Sequence, residues 1–437
     1  MKAVFIVPKY SIISENKNFI NRIDDAYEFQ ARMRLWSCPS LSMLTIAGMM
    51  PESSVTEYID LNYVCEPDFN ADWAFFSPAT SQVNRAYQLA DKLREKRIKV
   101  AMGGPHVSVL PDEALQHSDV VFLGEAEETF PIFLQDVEKN KIKRIYNALN
   151  FPNLASVSSP SYHLAKQYPY KSIPIQTSRG CPHQCSFCIS SKLYGNKIRC
   201  KSSYQLENEL KTIREIFGKP YIFFTDDNLF IDKQRNNSLI NVVRNSNVNW
   251  YAFSDAGIAD DKKLLSEIAD SGCTQLLIGF ESLCSENLSG LNKNNWKMHK
   301  LSSYKEIINR IQGFGIGVVG SFVIGLENDT AEVFENLYEF IEETSLYATN
   351  ITVLTPFPGT NIYEKFKQER RLISEDWSKY NGFELTFTPN NITIEEFEKG
   401  YMDLNMRLNS PDRMNRIIEH FKTVFTNKNS RISKILI

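Results

Sequence analysis

Three of the eight cysteines lie within one eight-residue window, which reads Cys181-Pro-His-Gln-Cys185-Ser-Phe-Cys188. Three thiolates on a single loop can hold three irons of an iron–sulfur cluster, because cysteine thiolate is the usual ligand of cluster iron. A fourth iron would then have no protein ligand and could bind an exogenous one. The window is therefore the first place to look for chemistry.

Structural zinc is the main alternative for this window. A structural zinc site needs four ligands and would have to recruit Cys200 or His183. The sequence has no second CxxC pair, which argues against zinc. We interpret Cys200, Cys273 and Cys284 as packing residues, although a thiol that faces an interior cavity could donate a hydrogen atom.

The window follows a short predicted strand, Pro174–Thr177, which is the first of six strand candidates in this half of the chain. The other five are Tyr221–Thr225, Asn249–Ser254, Gln275–Phe280, Val318–Ile324 and Ile351–Thr355. Helical patterns such as Tyr204–Phe217 lie between most of them. Six successive β/α units predict a partial barrel that is open on one side, with its active site at the carboxyl ends of the strands.

The first third of the chain also alternates strands with helices, and Val83–Lys96 is its clearest amphipathic helix. Its strand candidates are Lys2–Pro8, Val55–Asp60, Asp72–Ser77, Ile98–Met102 and Val120–Leu123. This alternation predicts a doubly wound, Rossmann-like sheet that binds ligands at the carboxyl ends of its strands. The predicted α/β chain thus comprises a Rossmann-like domain (1–145), a linker (146–172), a partial barrel (173–370) and a helical C-terminal segment (371–437).

Composition and charge indicate where in the cell the protein is found and which classes of partner it can bind. The net charge of -3 gives no positive field for nucleic acid. No apolar run approaches the ~20 residues of a membrane span, and the N-terminus does not resemble a signal peptide, so we expect a cytoplasmic protein. The C-terminal segment contains an amphipathic helix whose basic residues include Lys428, Arg431 and Lys434. Packing against the barrel is favoured there over binding to a membrane surface.

The Cx3CxφC pattern, with Phe187 as its aromatic residue and a barrel strand before it, resembles the radical S-adenosylmethionine (radical SAM) superfamily. The resemblance implies that Cys181, Cys185 and Cys188 hold a 4Fe-4S cluster whose open iron chelates S-adenosylmethionine. One electron from the cluster then releases a 5′-deoxyadenosyl radical, which the barrel must shield from water. An external electron donor such as flavodoxin or ferredoxin and a small-molecule substrate are implied as partners.

Later strand ends extend the resemblance. Thr225-Asp-Asp-Asn228 stands where the family has a Gly-Gly-Glu-like turn, so Asp226, Asp227 and Asn228 are expected to accept from the amino group of S-adenosylmethionine. The other expected contacts are Phe187, Ser254, Glu281 toward the ribose, and Ile324 in the strand that resembles the adenine-contacting strand. Each acid alone could equally be a helix cap.

The N-terminal third resembles the cobalamin-binding domain of one radical SAM subclass, which includes the anaerobic Mg-protoporphyrin cyclase and several methyltransferases. Three segments carry this resemblance: Pro39–Gly48, Gly103-Gly-Pro-His106 and Gly124–Thr129. The expected cobalamin contacts are Ser77, Thr80, Gly103, Gly104, Pro105, His106, Gly124, Glu125 and Glu127. Glycines at strand ends let backbone approach a large ring, but an empty domain whose glycines only form turns is the alternative.

No histidine of the chain has an aspartate two residues before it, so the Asp-x-His-x-x-Gly cobalt-ligating loop is absent. The lower face of cobalamin is then expected to meet water or a non-coordinating side chain, which favours passing a methyl group to a substrate radical.

The leading hypothesis is a cobalamin-dependent enzyme that methylates an unactivated carbon or phosphorus. The alternative keeps all three cofactors but performs ring formation, rearrangement or oxidation without methyl transfer. Methylthiotransferases need three N-terminal cysteines, and only Cys38 and Cys65 lie there. A corrinoid- or iron-sensing binding protein would not need S-adenosylmethionine contacts at several strand ends.

Overall fold

The computed structural model describes residues 1–10 and 37–426. Its first sheet has six parallel strands in the order β2-β1-β3-β4-β5-β6. They are β1 (Lys2–Val7), β2 (Val55–Asp60), β3 (Trp73–Phe76), β4 (Lys99–Met102), β5 (Val120–Leu123) and β6 (Ile145–Asn147). The sequence predicted the first five strands. It missed β6, whose three residues bury only one side chain and so give no periodic signal.

Helices cover both faces of this sheet. They are α1 (Leu41–Ala47), α2 (Val83–Glu95), α3 (Pro105–Val109), α4 (Pro111–His117) and α5 (Phe130–Glu138). Alternate residues of a strand point to opposite faces, so Phe5 joins the core around Phe133 while Ile6 joins the core around Leu93. Burial on both faces explains why β1, β3, β4 and β5 are almost continuously apolar.

The segment after β6 contains two short 3-10 turns, Leu154–Ser156 and Tyr162–Ala165. Tyr162 is buried, and its hydroxyl donates to the Pro174 carbonyl at 3.1 Å. Tyr162, Ala165 and Tyr168 belong to one hydrophobic core that continues from the first sheet into the second. The connecting segment therefore packs both domains together.

The second sheet is also parallel, with the strand order β14-β13-β12-β11-β10-β7. Its strands are β7 (Ile173–Ile175), β10 (Tyr221–Phe224), β11 (Asn249–Ser254), β12 (Cys273–Glu281), β13 (Gly317–Ile324) and β14 (Ala348–Val353). In the described part of the chain β7 and β14 do not pair, which agrees with the predicted open barrel. A short antiparallel hairpin of β8 (Ser178–Arg179) and β9 (Arg199–Cys200) follows β7.

Helices connect the strands of this sheet. They are α6 (Ser190–Tyr194), α7 (Ser203–Phe217), α8 (Asn236–Ser246), α9 (Lys262–Asp270), α10 (Ser285–Leu288), α11 (Trp296–Lys300), α12 (Tyr304–Gly313), α13 (Val333–Thr344) and α14 (Asn361–Gln368). The C-terminal segment adds α15 (Ile394–Leu408) and α16 (Pro411–Thr426). In α16, Phe421 packs against Tyr347, so its apolar face contacts the protein.

The basic residues Lys428, Arg431 and Lys434 lie outside the described residues. Over residues 1–10 and 37–426, no helix has the length and apolar character that crossing a membrane requires.

Substituting a helix glycine by alanine shows how tightly the residue is packed, and Gly400 of the C-terminal segment can be compared with Gly313 in this way. A Cβ at Gly400 in α15 would lie 2.3 Å from the Phe334 ring, whereas one at Gly313 in α12 would meet no atom within 4 Å. Gly313→Ala should raise the free energy of unfolding by about 0.5–1 kcal/mol. Gly400→Ala should lower it by about 1–3 kcal/mol, because overpacking outweighs the gain in helix propensity. Urea unfolding of the two variants checks this, and equal stabilisation by both would contradict it.

Candidate active site

The cysteine window lies in the loop 180–198, which the β8–β9 hairpin closes at its base. Gly180 has a φ of 100°, and a Cβ there would lie 2.3 Å from the Lys197 carbonyl oxygen. The Cys181 amide donates to the Gly195 carbonyl at 3.2 Å. Only glycine fits at position 180, and the first cysteine therefore begins the loop at a fixed point.

Backbone hydrogen bonds tie the loop to the segment that follows β12. The Ser186 amide donates to the Leu291 carbonyl at 3.0 Å, and the Lys293 amide donates to the His183 carbonyl at 2.9 Å. The His183 side chain adds a third tie, since its Nε2 lies 2.9 Å from Asp255 Oδ2 at the end of β11. The loop is thus anchored to the end of β11 and to the segment that follows β12.

The three thiols of the window are close enough to influence one another. Burial, the largest cause, raises the pKa of Cys181 to about 11 and that of Cys185 to about 12, and neighbouring thiolates act in the same direction. Cys188 is exposed. Thiolates in such a site need cations to neutralise them, which iron supplies.

Within the described ranges, no three His, Cys, Asp or Glu side chains are grouped for a single metal ion. The ligands of a 4Fe-4S cluster need not converge on one ion, because each thiolate binds a separate iron. Three thiols on one anchored loop are therefore suited to hold such a cluster.

The turn after β10 gives its three polar residues different roles. Asp226 is fully buried and accepts from the Thr177 amide at 3.0 Å, from the Thr177 hydroxyl at 2.7 Å and from the Ser178 hydroxyl. Its carboxylate supports the base of the cysteine loop, and its contact with S-adenosylmethionine stays a prediction. Asp227 lies near Cys181 and accepts from the Gly180 amide.

Asn228 carries an unused hydrogen-bond acceptor. Its Nδ2 donates to Asp255 Oδ2 at 2.6 Å, but its Oδ1 has no partner among the described residues, although the side chain is only 5% exposed. Buried polar atoms are nearly always paired. The open acceptor beside the cysteine loop therefore fits a ligand that donates, such as an ammonium.

Glu281 lies at a bulge in β12, with a φ of 69°. Lys297 is buried, and its Nζ lies 2.7 Å from Glu281 Oε1 and 2.7 Å from the Gly279 carbonyl oxygen. Burial lowers the pKa of Lys297, but Glu281 and Cys185 outweigh that effect and raise it overall. Sequence reasoning missed Lys297, because nothing in its local pattern distinguishes it from a surface lysine.

Ser254, Phe187 and Ile324 were the remaining expected contacts of S-adenosylmethionine. Ser254 is buried at the end of β11. Phe187 lines a cavity of about 290 Å³ together with Leu326 and Leu354. The Ile324 side chain is fully buried in the core, and the contact of this strand end with S-adenosylmethionine stays a prediction.

In the first domain, four expected cobalamin contacts follow neighbouring strands. Ser77 follows β3, Gly103 and Gly104 follow β4, and Gly124 follows β5. Gly104 has a φ of 94°, and a Cβ there would lie 2.6 Å from Ser77 Oγ. These turns expose backbone at one edge of the sheet, where parallel sheets bind large ligands.

His106 and Thr80 are turned toward the protein. The His106 side chain is buried, with Nδ1 3.3 Å from Thr80 Oγ1 and Nε2 3.2 Å from Glu113 Oε1. Trp377 of the C-terminal segment packs on the imidazole and donates to the same carboxylate at 3.1 Å. Both ring nitrogens are engaged, so His106 does not offer a free nitrogen to a ligand, and Pro105 begins the helix that carries it.

Glu125 and Glu127 extend across the interface to the other domain. Glu125 Oε2 lies 2.5 Å from Arg179 Nη1, and its other oxygen is paired with Arg199. Glu127 Oε1 lies 2.6 Å from Arg179 Nη2. These ion pairs identify two arginines that sequence reasoning missed, and the contacts of both carboxylates with cobalamin stay a prediction.

Each of the two domains matches a different known protein family. Residues 175–341 match the family model of the radical SAM superfamily, and residues 38–134 match that of the B12 binding domain. The chain therefore contains a radical SAM domain. A B12-binding domain precedes the radical SAM domain, and the two together carry the sites described above.

Curated relatives and solved structures cover most of this radical SAM enzyme. It is 27% identical to the bacteriochlorophyllide d C-8(2)-methyltransferase of Chlorobaculum tepidum, over 79% of this chain and 80% of the relative. It is 22% identical to the anaerobic magnesium-protoporphyrin IX monomethyl ester cyclase of Cereibacter sphaeroides, over 80% of this chain and 62% of the relative. The structure of the cobalamin-dependent radical enzyme OxsB has the same fold, with a TM-score of 0.67, 14% identity, and coverage of 97% of this chain and 70% of that one.

The cofactors of the enzyme are a 4Fe-4S cluster, S-adenosylmethionine and cobalamin. The residues present fit all three. The anchored loop supplies three thiols, the Asn228 acceptor and the cavity beside Phe187 suit S-adenosylmethionine, and the glycine turns after β4 and β5 leave backbone open toward a corrin ring.

Single cysteine substitutions should separate ligands from packing residues. Anaerobically reconstituted Cys181→Ala, Cys185→Ala or Cys188→Ala should lose most of the about four irons per chain of the parent enzyme, because each removes a ligand of one iron. Cys273→Ala, a change in the buried core, is the control and should keep them. Iron analysis with the visible absorbance of the cluster checks this. Full iron content in any of the three loop variants would contradict it.

Proposed function

We propose that the enzyme transfers a methyl group to an unactivated carbon or phosphorus of a small molecule. When bound, the cluster and S-adenosylmethionine supply a 5′-deoxyadenosyl radical, and cobalamin supplies the methyl group. The observation that carries the proposal is the contact between Glu125, at the ligand-binding edge of the B12-binding domain, and Arg179, two residues before the first cluster cysteine. A corrin at that edge would lie beside the site where the radical forms.

The polar residues near the loop have separate roles in this proposal. Asn228 Oδ1 and Asp227 would accept from the amino group of S-adenosylmethionine, and Phe187 would contact the adenine. Glu281 would accept from the ribose hydroxyls, and Lys297 fixes that carboxylate through its 2.7 Å ion pair. Anchoring by buried partners keeps these acceptors in place before the ligand binds.

Ring formation or oxidation without methyl transfer is the second candidate, supported by the similarity to the magnesium-protoporphyrin cyclase. The two candidates differ in how they use S-adenosylmethionine. Methyl transfer consumes one molecule to recharge cobalamin and a second to form the radical, whereas the alternative consumes it only for the radical.

Electrons must come from outside the chain, and a flavodoxin or ferredoxin is the proposed donor. Cys188 is exposed, so the cluster would lie near the surface that such a donor can reach. The proposed location is the cytoplasm, where thiols stay reduced until they bind iron.

Product analysis distinguishes the two candidate functions. The reconstituted enzyme, with dithionite and hydroxocobalamin, should convert S-adenosylmethionine to both S-adenosylhomocysteine and 5′-deoxyadenosine. Omitting cobalamin should abolish only the first product, and Cys188→Ala should abolish the second. Liquid chromatography with mass spectrometry checks both. Formation of 5′-deoxyadenosine without cobalamin-dependent S-adenosylhomocysteine would favour the cyclase-like alternative.

Removing the open acceptor tests the proposed site of the amino group. Asn228→Ala should weaken binding of S-adenosylmethionine about tenfold, because a hydrogen bond to a charged group contributes about 1.5–3 kcal/mol. Asn236→Ala is a matched control, since Asn236 is also buried with an unpaired Oδ1 but lies in α8. Equilibrium dialysis with the reconstituted enzyme measures both affinities. Equal affinities in the two variants would contradict the assignment.

A further inference from the structure

Two arginines face each other at the base of the cluster-binding loop. The β8–β9 hairpin places Arg179 directly opposite Arg199, and the loop 180–198 between them carries all three cluster cysteines. Both guanidinium groups are largely buried, with side chains 11% and 17% exposed. Like charges directly opposite each other in an antiparallel pair are destabilising. Without other partners, repulsion between the two arginines would push the strands of the hairpin apart at the base of the cysteine loop.

Glutamates of the B12-binding domain neutralise this pair. Glu125 is 2% exposed and uses both carboxylate oxygens, one toward Arg179 at 2.5 Å and both toward Arg199. Glu127 is 8% exposed and pairs with the second Nη of Arg179 at 2.6 Å. Two acids from one domain thus balance two cations from the other, and Glu125 bridges the two strands of the hairpin.

We propose that Glu125 and Glu127 are positioning residues through which the B12-binding domain holds the cluster-binding loop closed. Arg179 lies two residues before Cys181, so a carboxylate that fixes Arg179 also fixes the start of the loop. Arg199 fixes its end in the same way, and its guanidinium packs 4.7 Å from the Phe151 ring. Retention of the cluster therefore depends on the B12-binding domain, although all three cluster cysteines lie in the radical SAM domain.

This proposal concerns retention of the cluster and not methyl transfer, so its test is independent of the test of the proposed function. It also differs from a role in binding cobalamin. Both oxygens of Glu125 are engaged with guanidinium groups, so the hairpin already holds this carboxylate. Loss of cobalamin and loss of the cluster are thus distinguishable consequences.

The test compares Glu125→Gln and Glu127→Gln with Glu128→Gln in the reconstituted holoenzyme. Glu128 lies in the same turn, is exposed, and forms no ion pair in the described part of the chain. The readouts are the rate of iron loss to a ferrous chelator, the electron paramagnetic resonance spectrum of the reduced cluster, and the cobalt retained after desalting. Glu125→Gln should lose iron at least about tenfold faster than the parent, because it leaves a buried charge unpaired.

Glu127→Gln should show a smaller acceleration than Glu125→Gln, since it affects Arg179 alone. Glu128→Gln should match the parent in iron loss and spectrum, and all three variants should retain cobalt. Parent-like iron loss and an unchanged spectrum in Glu125→Gln would overturn the proposal. Loss of cobalt with an intact cluster would also overturn it and assign these carboxylates to cobalamin.

Three further variants keep the test decisive if Glu125→Gln does not fold. Glu125→Asp keeps the charge but shortens the side chain, and it should still lose iron faster than the parent. The double variant Glu125→Gln/Arg199→Gln removes one charge of each sign and leaves the Arg179–Glu127 pair. It should lose iron more slowly than Arg199→Gln alone, because that single change leaves Glu125 with one fewer cation. Parent-like iron loss in all of these variants would overturn the proposal.

Discussion

All strands of a parallel sheet end at the same edge, and this constraint brings the chemistry of the enzyme together. In the first domain the glycine turns follow β3, β4 and β5 at that edge. In the second domain the cysteine loop, Asn228 and Glu281 follow strand ends in the same way. The two edges meet where Glu125 contacts Arg179. Each domain folds around its own sheet, but the site needs the carboxyl edges of both.

Charges buried at these edges occur in balanced sets. Lys297 pairs with Glu281, and the two arginines of the hairpin face two glutamates. An unpaired buried charge costs several kcal/mol, and breaking a buried pair costs about 3–5 kcal/mol. The two partners of each pair come from different secondary-structure elements or domains. Pairing therefore neutralises the charges and also fixes how these elements pack against one another.

How far the sequence predicts this site depends on how local each feature is. The cysteine spacing and the strands that precede it are encoded within a few residues, so both could be predicted. Asp226 and Asn228 are two residues apart, and only packing decides that the first supports Thr177 while the second keeps an open acceptor. Glu125 and Arg199 are separated by 74 positions. No local pattern reports their contact, so the ion pair could not be predicted from the sequence.

Two neighbouring residues of the loop have different surroundings. Cys188 is exposed, whereas Phe187, its neighbour in sequence, packs against the core and lines a cavity of about 290 Å³. The exposed end of the window is where an external reductant would approach a cluster bound there, and Phe187 links the loop to the packed interior. If S-adenosylmethionine binds beside Phe187, as proposed, the side chains packed around that residue would shield a radical formed there from water.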